Sequence, residues 1–397
     1  MATNETRRKA SRYVVPVAVA GVAAATIGLV PALAASGDPD LSEITAQQLI
    51  EKIAASDTQT LSGTFKISTD LGLPSFAGLI PSGGASASAD PSARLTELAS
   101  GTHTLRVAAD GPDRQKLTLL DGSDEYSLIH NGADVWAYDS KSNEVFHEKA
   151  DGPAGTPEKE LPGTPKELAD EVLKAAGDTT SITVGGTAKV AGRDAYQLVI
   201  KPKQSGSTIE SVKIAVDSAT GTPLKFTLDS TSGGKPVVDA GFTKVDFGKP
   251  DASTFDFKAP KGAKVTEGAA DEAADEATDG TASGKHGELP PGLEGLFGDM
   301  GAEGGKGGKD GQGLNVIGEG WTAIAKLDTG APAPKTDEAP KEVQGFLDSF
   351  GDKVSGKFGS GTVFKTKLVN ALMTDDGKVY VGAVTPDALV NAANSGK

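Results

Sequence analysis

The chain has no cysteine. That absence removes disulfides, thiolate metal sites, thiol nucleophiles and a lipid-modified N-terminal cysteine. Histidine is scarce too: His103, His130, His147 and His286 are scattered, with no H-x-x-x-H or H-E-x-x-H spacing, and ordinary strand or surface histidines account for them. Positive charge is in short supply, with 39 Lys and Arg against 54 Asp and Glu and a formal net charge of −15. Four bases, Arg7, Arg8, Lys9 and Arg12, lie in the first 34 residues beside a single acid, Glu5, so the remainder stands near −18. Phosphate backbones and anionic headgroups repel so acidic a chain, which argues against nucleic acid as a partner and against electrostatic membrane docking. No G-x-S-x-G, G-x-x-x-x-G-K-[ST] or G-x-G-x-x-G occurs, and the phosphate-loop lookalike from Gly280 to His286 has the wrong spacing. With no nucleophile, base or metal cluster in view, the expectation is a non-enzyme without a cofactor.

Long apolar runs are confined to the N-terminus. A basic stretch to Arg12, an apolar run from Tyr13 to Leu33 and the small-x-small site Ala32-Leu33-Ala34 read as an export signal over residues 1–34, cleaved to leave Ala35 first. An uncleaved N-terminal anchor is the alternative, although Pro16, Gly21, Gly28 and Pro31 weaken a long helix. Either way the bulk of the protein is expected outside the cytoplasmic membrane, extracellular or in the cell envelope.

The mature chain is rich in period-two alternation. Thr45 and Gln48 have capping-box spacing before a helical apolar pattern, predicting a helix from about Thr45 to Ser56. Leu61/Gly63/Phe65/Ile67, Leu105/Val107, Leu117/Leu119, Trp136/Tyr138, Ile182/Val184, Tyr196/Leu198/Ile200, Val212/Ile214/Val216, Leu224/Phe226/Leu228, Val238/Ala240/Phe242 and Val245/Phe247 then alternate with mainly polar or small residues. That pattern predicts about eleven antiparallel strands, and the turn signals between them (Asp110 to Asp113, Asp121-Gly122-Ser123, Asn131-Gly132, Ala191-Gly192, Asp217 to Gly221) predict a meander. One helix interrupts it, opened by Thr164-Pro165 and closed by Gly177.

Glycine is in excess, 51 residues or about 13 % against a usual ~7 %, and its location explains part of that. Residues 267–280 carry acids and no base, and residues 301–313 hold seven glycines, so 266–313 reads as a flexible linker. Beyond it, 314–397 reads as α+β: a strand from Val316 through Leu327, a helix over 339–350, strands over 362–369 and 379–384 around a hairpin turn at Asp375-Asp376-Gly377, and a closing helix from Pro386. This unit is either a small second domain or a flap completing the first. The domain reading is therefore 1–34 leader, 35–265 main domain, 266–313 linker and 314–397 C-terminal unit.

Two helices cannot cover both faces of so large a sheet, so its apolar face must curl on itself, meet a second sheet or hold something apolar. The segment Leu71, Leu73, Pro74, Phe76, Leu79 and Ile80 is too greasy for a water-facing loop; it reads as a lid over an apolar opening or as a loop packed on the core. At this point the sequence becomes recognisable. Thr60 to Phe65 leading to Asp70-Leu71-Gly72-Leu73-Pro74, then His103 to Arg106, Asp110 to Arg114, Asn131 to Trp136, Ala191 to Tyr196 and Gly241 to Phe247, resemble the actinobacterial branch of the LolA-like lipoprotein-carrier superfamily. The likeness covers roughly 41–262, and Leu372 to Gly377 with Gly382 to Pro386 are similar to the C-terminal part of that branch. A large lobe followed by a smaller one also resembles, in layout, the RseB/MucB sensors of envelope stress.

The resemblance implies a mainly β (α+β) fold: a large antiparallel sheet curled into a half-open β-barrel with helices at the mouth, plus the small C-terminal unit. It implies an apolar cavity for the acyl chains of lipids or lipoproteins, in a carrier or lipid sensor of the cell envelope. By strand parity, Phe65, Ile67, Leu105, Val107, Leu117, Trp136, Leu198, Phe226 and Phe242 are expected to line it, with Leu73, Phe76, Leu79 and Ile80 as the lid. The alternative is a non-enzymatic protein-binding regulator of RseB/MucB type, with an envelope membrane protein as partner.

Overall fold

A computed structural model describes residues 39–72, 98, 100–149, 170, 172–174, 176–267, 315–328 and 351–395. The leader, the lid residues Leu73, Phe76, Leu79 and Ile80, the start of the helix expected from Thr164, the linker beyond Glu267 and the helix expected over 339–350 lie outside them.

Helix α1, Ala46–Ala54, opens as its sequence dictates: the Thr45 hydroxyl accepts from the Gln48 N–H while the Gln48 side chain accepts from the Thr45 N–H. Eleven antiparallel strands follow, β1 (Thr60–Thr69), β2 (Gly101–Asp110), β3 (Arg114–Asp121), β4 (Asp124–Asn131), β5 (Asp134–Asp139), β6 (Glu144–Lys149), β7 (Thr180–Val190), β8 (Arg193–Pro202), β9 (Ile209–Asp217), β10 (Pro223–Ser230) and β11 (Val238–Asp246). A twelfth, β12 (Lys264–Glu267), runs parallel to β6 and pairs Thr266 and Glu267, read above as linker, with Phe146 and His147. The order β12-β6-β5-β4-β3-β2-β1-β11-β10-β9-β8-β7 is one curled sheet that does not close. It is two meanders rather than one. The long β6–β7 connection lets β7 start at the far edge, and β1 joins the halves by pairing with β11.

That seam is tightly made. The β1–β11 register shifts between Thr64 and Phe65, and here β11 crosses so close that a Cβ on Gly63 would stand 2.4 Å from the Lys244 carbonyl oxygen and 2.8 Å from the Phe242 ring. Only glycine fits. At the β7–β8 hairpin, Ala191 and Gly192 have φ of +51° and +81°, the mirror-image two-residue turn that suits the twist of antiparallel strands.

The C-terminal residues build their own six-stranded sheet, in the order β13-β14-β18-β17-β16-β15. Its strands are β13 (Asn315–Ile317), β14 (Ile324–Asp328), β15 (Gly351–Gly356), β16 (Gly359–Phe364), β17 (Asn370–Thr374) and β18 (Lys378–Gly382). Helix α2 (Pro386–Ser395) covers it, with Leu389, Ala392 and Ala393 packed on Val363, Leu372, Tyr380 and Val384. The strand expected over 316–327 is two, because the chain turns at Gly320–Thr322 and pairs β14 antiparallel with β13. The strand expected over 362–369 breaks at Thr366, whose hydroxyl accepts from the N–H groups of Leu368 and Val369. The chain turns there and restarts as β17, and Asp375-Asp376-Gly377 is the hairpin to β18.

This unit docks on the large sheet through a small buried cluster of Ile209, Val237, Leu368 and Ala383. Main-chain bonds bracket it: Thr208 N–H to Ala383 O (2.9 Å), Thr385 N–H to Gly206 O (2.7 Å) and Lys367 N–H to Leu71 O (2.9 Å). The Trp321 indole N–H donates to the Thr180 hydroxyl at 2.7 Å. Lys367 also pairs with Asp70 at 2.5 Å, and its hydrogen bond, with that of the Gly72 N–H, holds the Asp70 carboxyl below the ordinary carboxylate range.

At one end of β8 and β9, Arg193 grips the buried Asp217 with two hydrogen bonds, and Asp217 also accepts from the Ala219 and Thr220 N–H groups in the turn to β10. Burial pushes the Asp217 carboxyl up, but Arg193 and Thr220 together outweigh it and hold it low. A depressed carboxyl stabilises the fold fully above the unfolded value near 4, and this contribution is lost as the pH falls through the lower folded value. Arg193→Ala should therefore lower unfolding stability by about 2–3 kcal/mol at pH 7, less than for a fully buried pair because Arg193 is a third exposed. Its acid transition, followed by circular dichroism, should move to higher pH.

Candidate functional site

Residues paired across neighbouring strands share a face, so the registers show which side chains can meet. Val107, Leu117, Leu128 and Ala137 form one rung, and Phe65, Leu105 and Leu119 the next. Phe242 lies opposite Phe65, and Ala240 opposite both Ile67 and Phe226. These residues merge into one apolar cluster in which Leu105 and Phe242 are fully enclosed and Phe226 is only half-buried at the margin. The Phe65 and Phe242 rings meet edge to face at 5.6 Å, worth about 0.5–1.5 kcal/mol beyond their buried area.

Seven of the nine expected lining residues, Phe65, Ile67, Leu105, Val107, Leu117, Phe226 and Phe242, thus come together. Two do not. Leu198 is on the rung of Ile214 and Phe226, but helix α1 sits over it, and it packs with Leu49, Ile50 and Val216 in a separate cluster. Trp136 is on the opposite face, because its neighbours Val135 and Ala137 are the ones that point into the cluster. It stacks on the His147 ring at 3.6 Å and meets Phe257 at 5.3 Å. His147 is held by Asp134 at 2.9 Å and by Glu267 at 2.7 Å, which ties β12 to the edge of the sheet. The lid residues Leu73, Phe76, Leu79 and Ile80 are outside the described residues.

One rung breaks the apolar pattern. Between Ala109 and Val135 stand Gln115 and His130, cross-strand partners that are 4 % and 1 % exposed. His130 Nε2 lies 2.8 Å from the Gly132 carbonyl oxygen. A carbonyl cannot donate, so Nε2 carries a proton, and in the neutral ring Nδ1 presents a lone pair. The Gln115 amide donates to the Pro112 carbonyl at 3.3 Å, which fixes its Oε1 as the other free end. Among the described residues, neither His130 Nδ1 nor Gln115 Oε1 has a hydrogen-bond partner. Each buried acceptor left so costs about 1–3 kcal/mol.

A cavity of about 380 Å³ opens elsewhere, on the face of β8–β10 opposite to Leu198 and Phe226. Lys189, Lys213, Lys225 and Asp229 rim it, and each lysine has a carboxylate at hand: Asp194 at 2.5 Å, Asp229 at 2.9 Å and Asp239 at 3.3 Å. Its charges are balanced internally. None of the nine expected residues lines it.

No family model and no curated relative matches the chain. Solved structures do. The Pseudomonas aeruginosa MucA/MucB complex is similar at 15 % identity over 88 % of this chain and 96 % of that one, with a TM-score of 0.37. A LolA superfamily protein of Nitrosomonas europaea is similar at 11 % identity over 54 % of this chain and 99 % of that one, with a TM-score of 0.21. A putative outer membrane lipoprotein-sorting protein domain from Vibrio parahaemolyticus is similar at 13 % identity over 52 % and 92 %, with a TM-score of 0.20. The relationship read from sequence motifs and the one read from layout are thus both among the structures this chain is similar to, at scores that carry no argument about what it does.

The misplaced tryptophan has a consequence of its own. Trp136→Ala should loosen the segment 251–267 from the sheet, quickening amide exchange in β12 and tryptic cleavage after Lys258 and Lys261. The stability loss should be about 2 kcal/mol, below that of a core aromatic because Trp136 is half-buried. The cluster around Phe65 should keep its protection.

Proposed function

We propose that this chain is exported, with its leader cut after Ala34, and works in the cell envelope as a non-enzymatic LolA-like carrier or sensor. It holds an acyl chain of a lipid or lipoprotein against the apolar face of the large sheet. The observation that carries this reading is the contiguous set running from Leu117 on β3 through Leu105, Phe65 and Phe242 to Phe226 on β10. Among the described residues, α1 and the turn of helix at 172–174 lie over the β7–β9 end of that face, through Leu49, Ile50 and Leu173, and Leu98 packs on the Phe65 cluster itself. Because most of these side chains are already enclosed, an acyl chain admitted among them gains about 25 cal/mol per Å² of its own apolar area removed from water. Binding of this kind is driven by area.

A second reading has its own support. The six-stranded sheet has a separate core and is fastened to the large one by buried main-chain bonds, so the two present a composite surface to a protein partner. In that case the protein is a regulator that binds an envelope membrane protein.

The test is direct. Purified protein beginning at Ala35 should release lipid on organic extraction and should bind cis-parinaric acid, an intrinsically fluorescent acyl chain. Phe226→Asp, at the half-buried margin where a charge is tolerated better than at Phe65, should weaken that binding at least tenfold with the circular dichroism spectrum unchanged. If the folded wild-type protein carries no lipid and binds no acyl chain, the carrier reading fails and the regulator reading replaces it.

A further inference from the structure

We propose that Gln115 and His130 form a polar subsite within the apolar face, one that selects acyl ligands bearing a hydrogen-bond donor, a hydroxyl or an amide N–H, next to the chain. The proposal rests on the acyl-binding reading and deepens it. Three features support it. The two side chains share a rung between Ala109 and Val135, one step from Val107 and Leu117, so they belong to the face that would take the chain. Both are more than nine-tenths buried, which keeps bulk water from supplying what they lack. Their free atoms are of one kind: with His130 Nε2 donating to Gly132 and the Gln115 amide donating to Pro112, both Nδ1 and Oε1 are acceptors.

Two buried acceptors on cross-strand neighbours of one apolar rung define the partner they would take by its chemistry. A carboxylate, an ester carbonyl or a phosphate offers only lone pairs and leaves the two acceptors unpaired, so such a ligand, the cis-parinaric acid probe included, binds by its chain alone. A glycerol hydroxyl or an amide N–H donates and is drawn in. The discrimination comes from leaving buried acceptors unpaired with the wrong ligand, and this is a stronger source of selectivity than any difference in chain fit.

Three competitors with the same oleoyl chain separate the possibilities by displacement of cis-parinaric acid from the full mature protein. 1-Monooleoylglycerol brings hydroxyl donors, oleamide brings N–H donors and methyl oleate brings none. The two donors should displace the probe about tenfold more tightly than methyl oleate, and the better of the two identifies the donor class. The double variant Gln115→Leu/His130→Phe, which keeps bulk and removes both acceptors, should bind methyl oleate as before and lose the preference. Equal displacement by all three in the wild-type protein overturns the subsite while leaving acyl binding intact, and is what an enclosed water between the two acceptors would give. A preference that survives in the double variant overturns the assignment to these residues. Failure of every competitor to displace bound probe overturns the acyl reading and the subsite with it. The wild-type comparison decides even if the double variant does not fold.

Discussion

Everything in the large sheet depends on the pairing of β1 with β11. β1 is central: its whole length pairs with β2, and eight of its residues pair with β11, so this one strand makes the two meanders a single surface. The register shift at Thr64/Phe65 sets which side chains face inward on either side of the seam. Because the side-chain period is two, a slip of one residue would turn Phe242 and Ala240 away from Phe65 and Ile67 and split the cluster. Gly63 and the edge-to-face contact of Phe65 with Phe242 both act at this point, one permitting the close crossing and the other favouring it over its alternatives.

The two halves of the sheet are then covered differently. Over β7–β9, the face continuous with the Phe65 cluster is taken by α1, whose Leu49 and Ile50 pack on Leu198 and Val216. Over β3–β5, it is the opposite face that receives a cover, from the segment after β11, where Phe257 meets Trp136 and Tyr138 and the fully buried Phe255 follows the Asp251 cap. An aromatic pointing away from the main cluster is therefore not a surface liability; Trp136 is the anchor for that strap. The docked C-terminal unit reaches the ends of β9 and β10 and the approach to β11, while the Phe65 cluster is built by the large sheet with Leu98 packed against it.

How much of this is legible in the sequence follows from how many faces a strand has wet. Where one face is polar, as in Leu105-x-Val107 or Phe65-x-Ile67, alternation names the inward residues directly. β5 reads Asp134-Val135-Trp136-Ala137-Tyr138-Asp139, apolar on both faces because both are covered, and residue size then points the wrong way: the small Ala137 is fully enclosed while Trp136 lies outside. Leu198 is on the face its parity gives, but parity cannot show that a helix about 150 residues earlier in the chain, built on Leu49 and Ile50, would cover it. β15 and β16 are rich in Gly and Ser, which have little strand propensity, and form through tertiary pairing; Gly361 is pressed to within 2.6 Å of the Met373 carbonyl oxygen at its would-be Cβ. Gln115 and His130 escape notice for the reverse reason: a polar residue in a strand reads as a wet face until the register places it on a dry one.

That last mismatch bears most on function. A face made only of Leu, Val and Phe would accept an acyl chain of suitable length with little regard for what it carries, because a change of one methylene alters binding by only about 1 kcal/mol. Selectivity has to come from atoms whose needs some ligands meet and others do not. In this chain the ion pairs at Asp70 and Asp217 are already matched, and the lysines around the cavity on the other face are each matched to a carboxylate. Gln115 Oε1 and His130 Nδ1 differ in being enclosed, on the apolar face and unmatched. Two unmatched acceptors forgo about 2–6 kcal/mol, a large share of the roughly 5–15 kcal/mol that holds a domain folded. An apolar pair of the same bulk would spare the two acceptors but take away the donors that Gln115 and His130 bring to the Pro112 and Gly132 carbonyls; capping those turns accounts for the donor ends of the two side chains, and a donor arriving with the ligand would account for the acceptor ends.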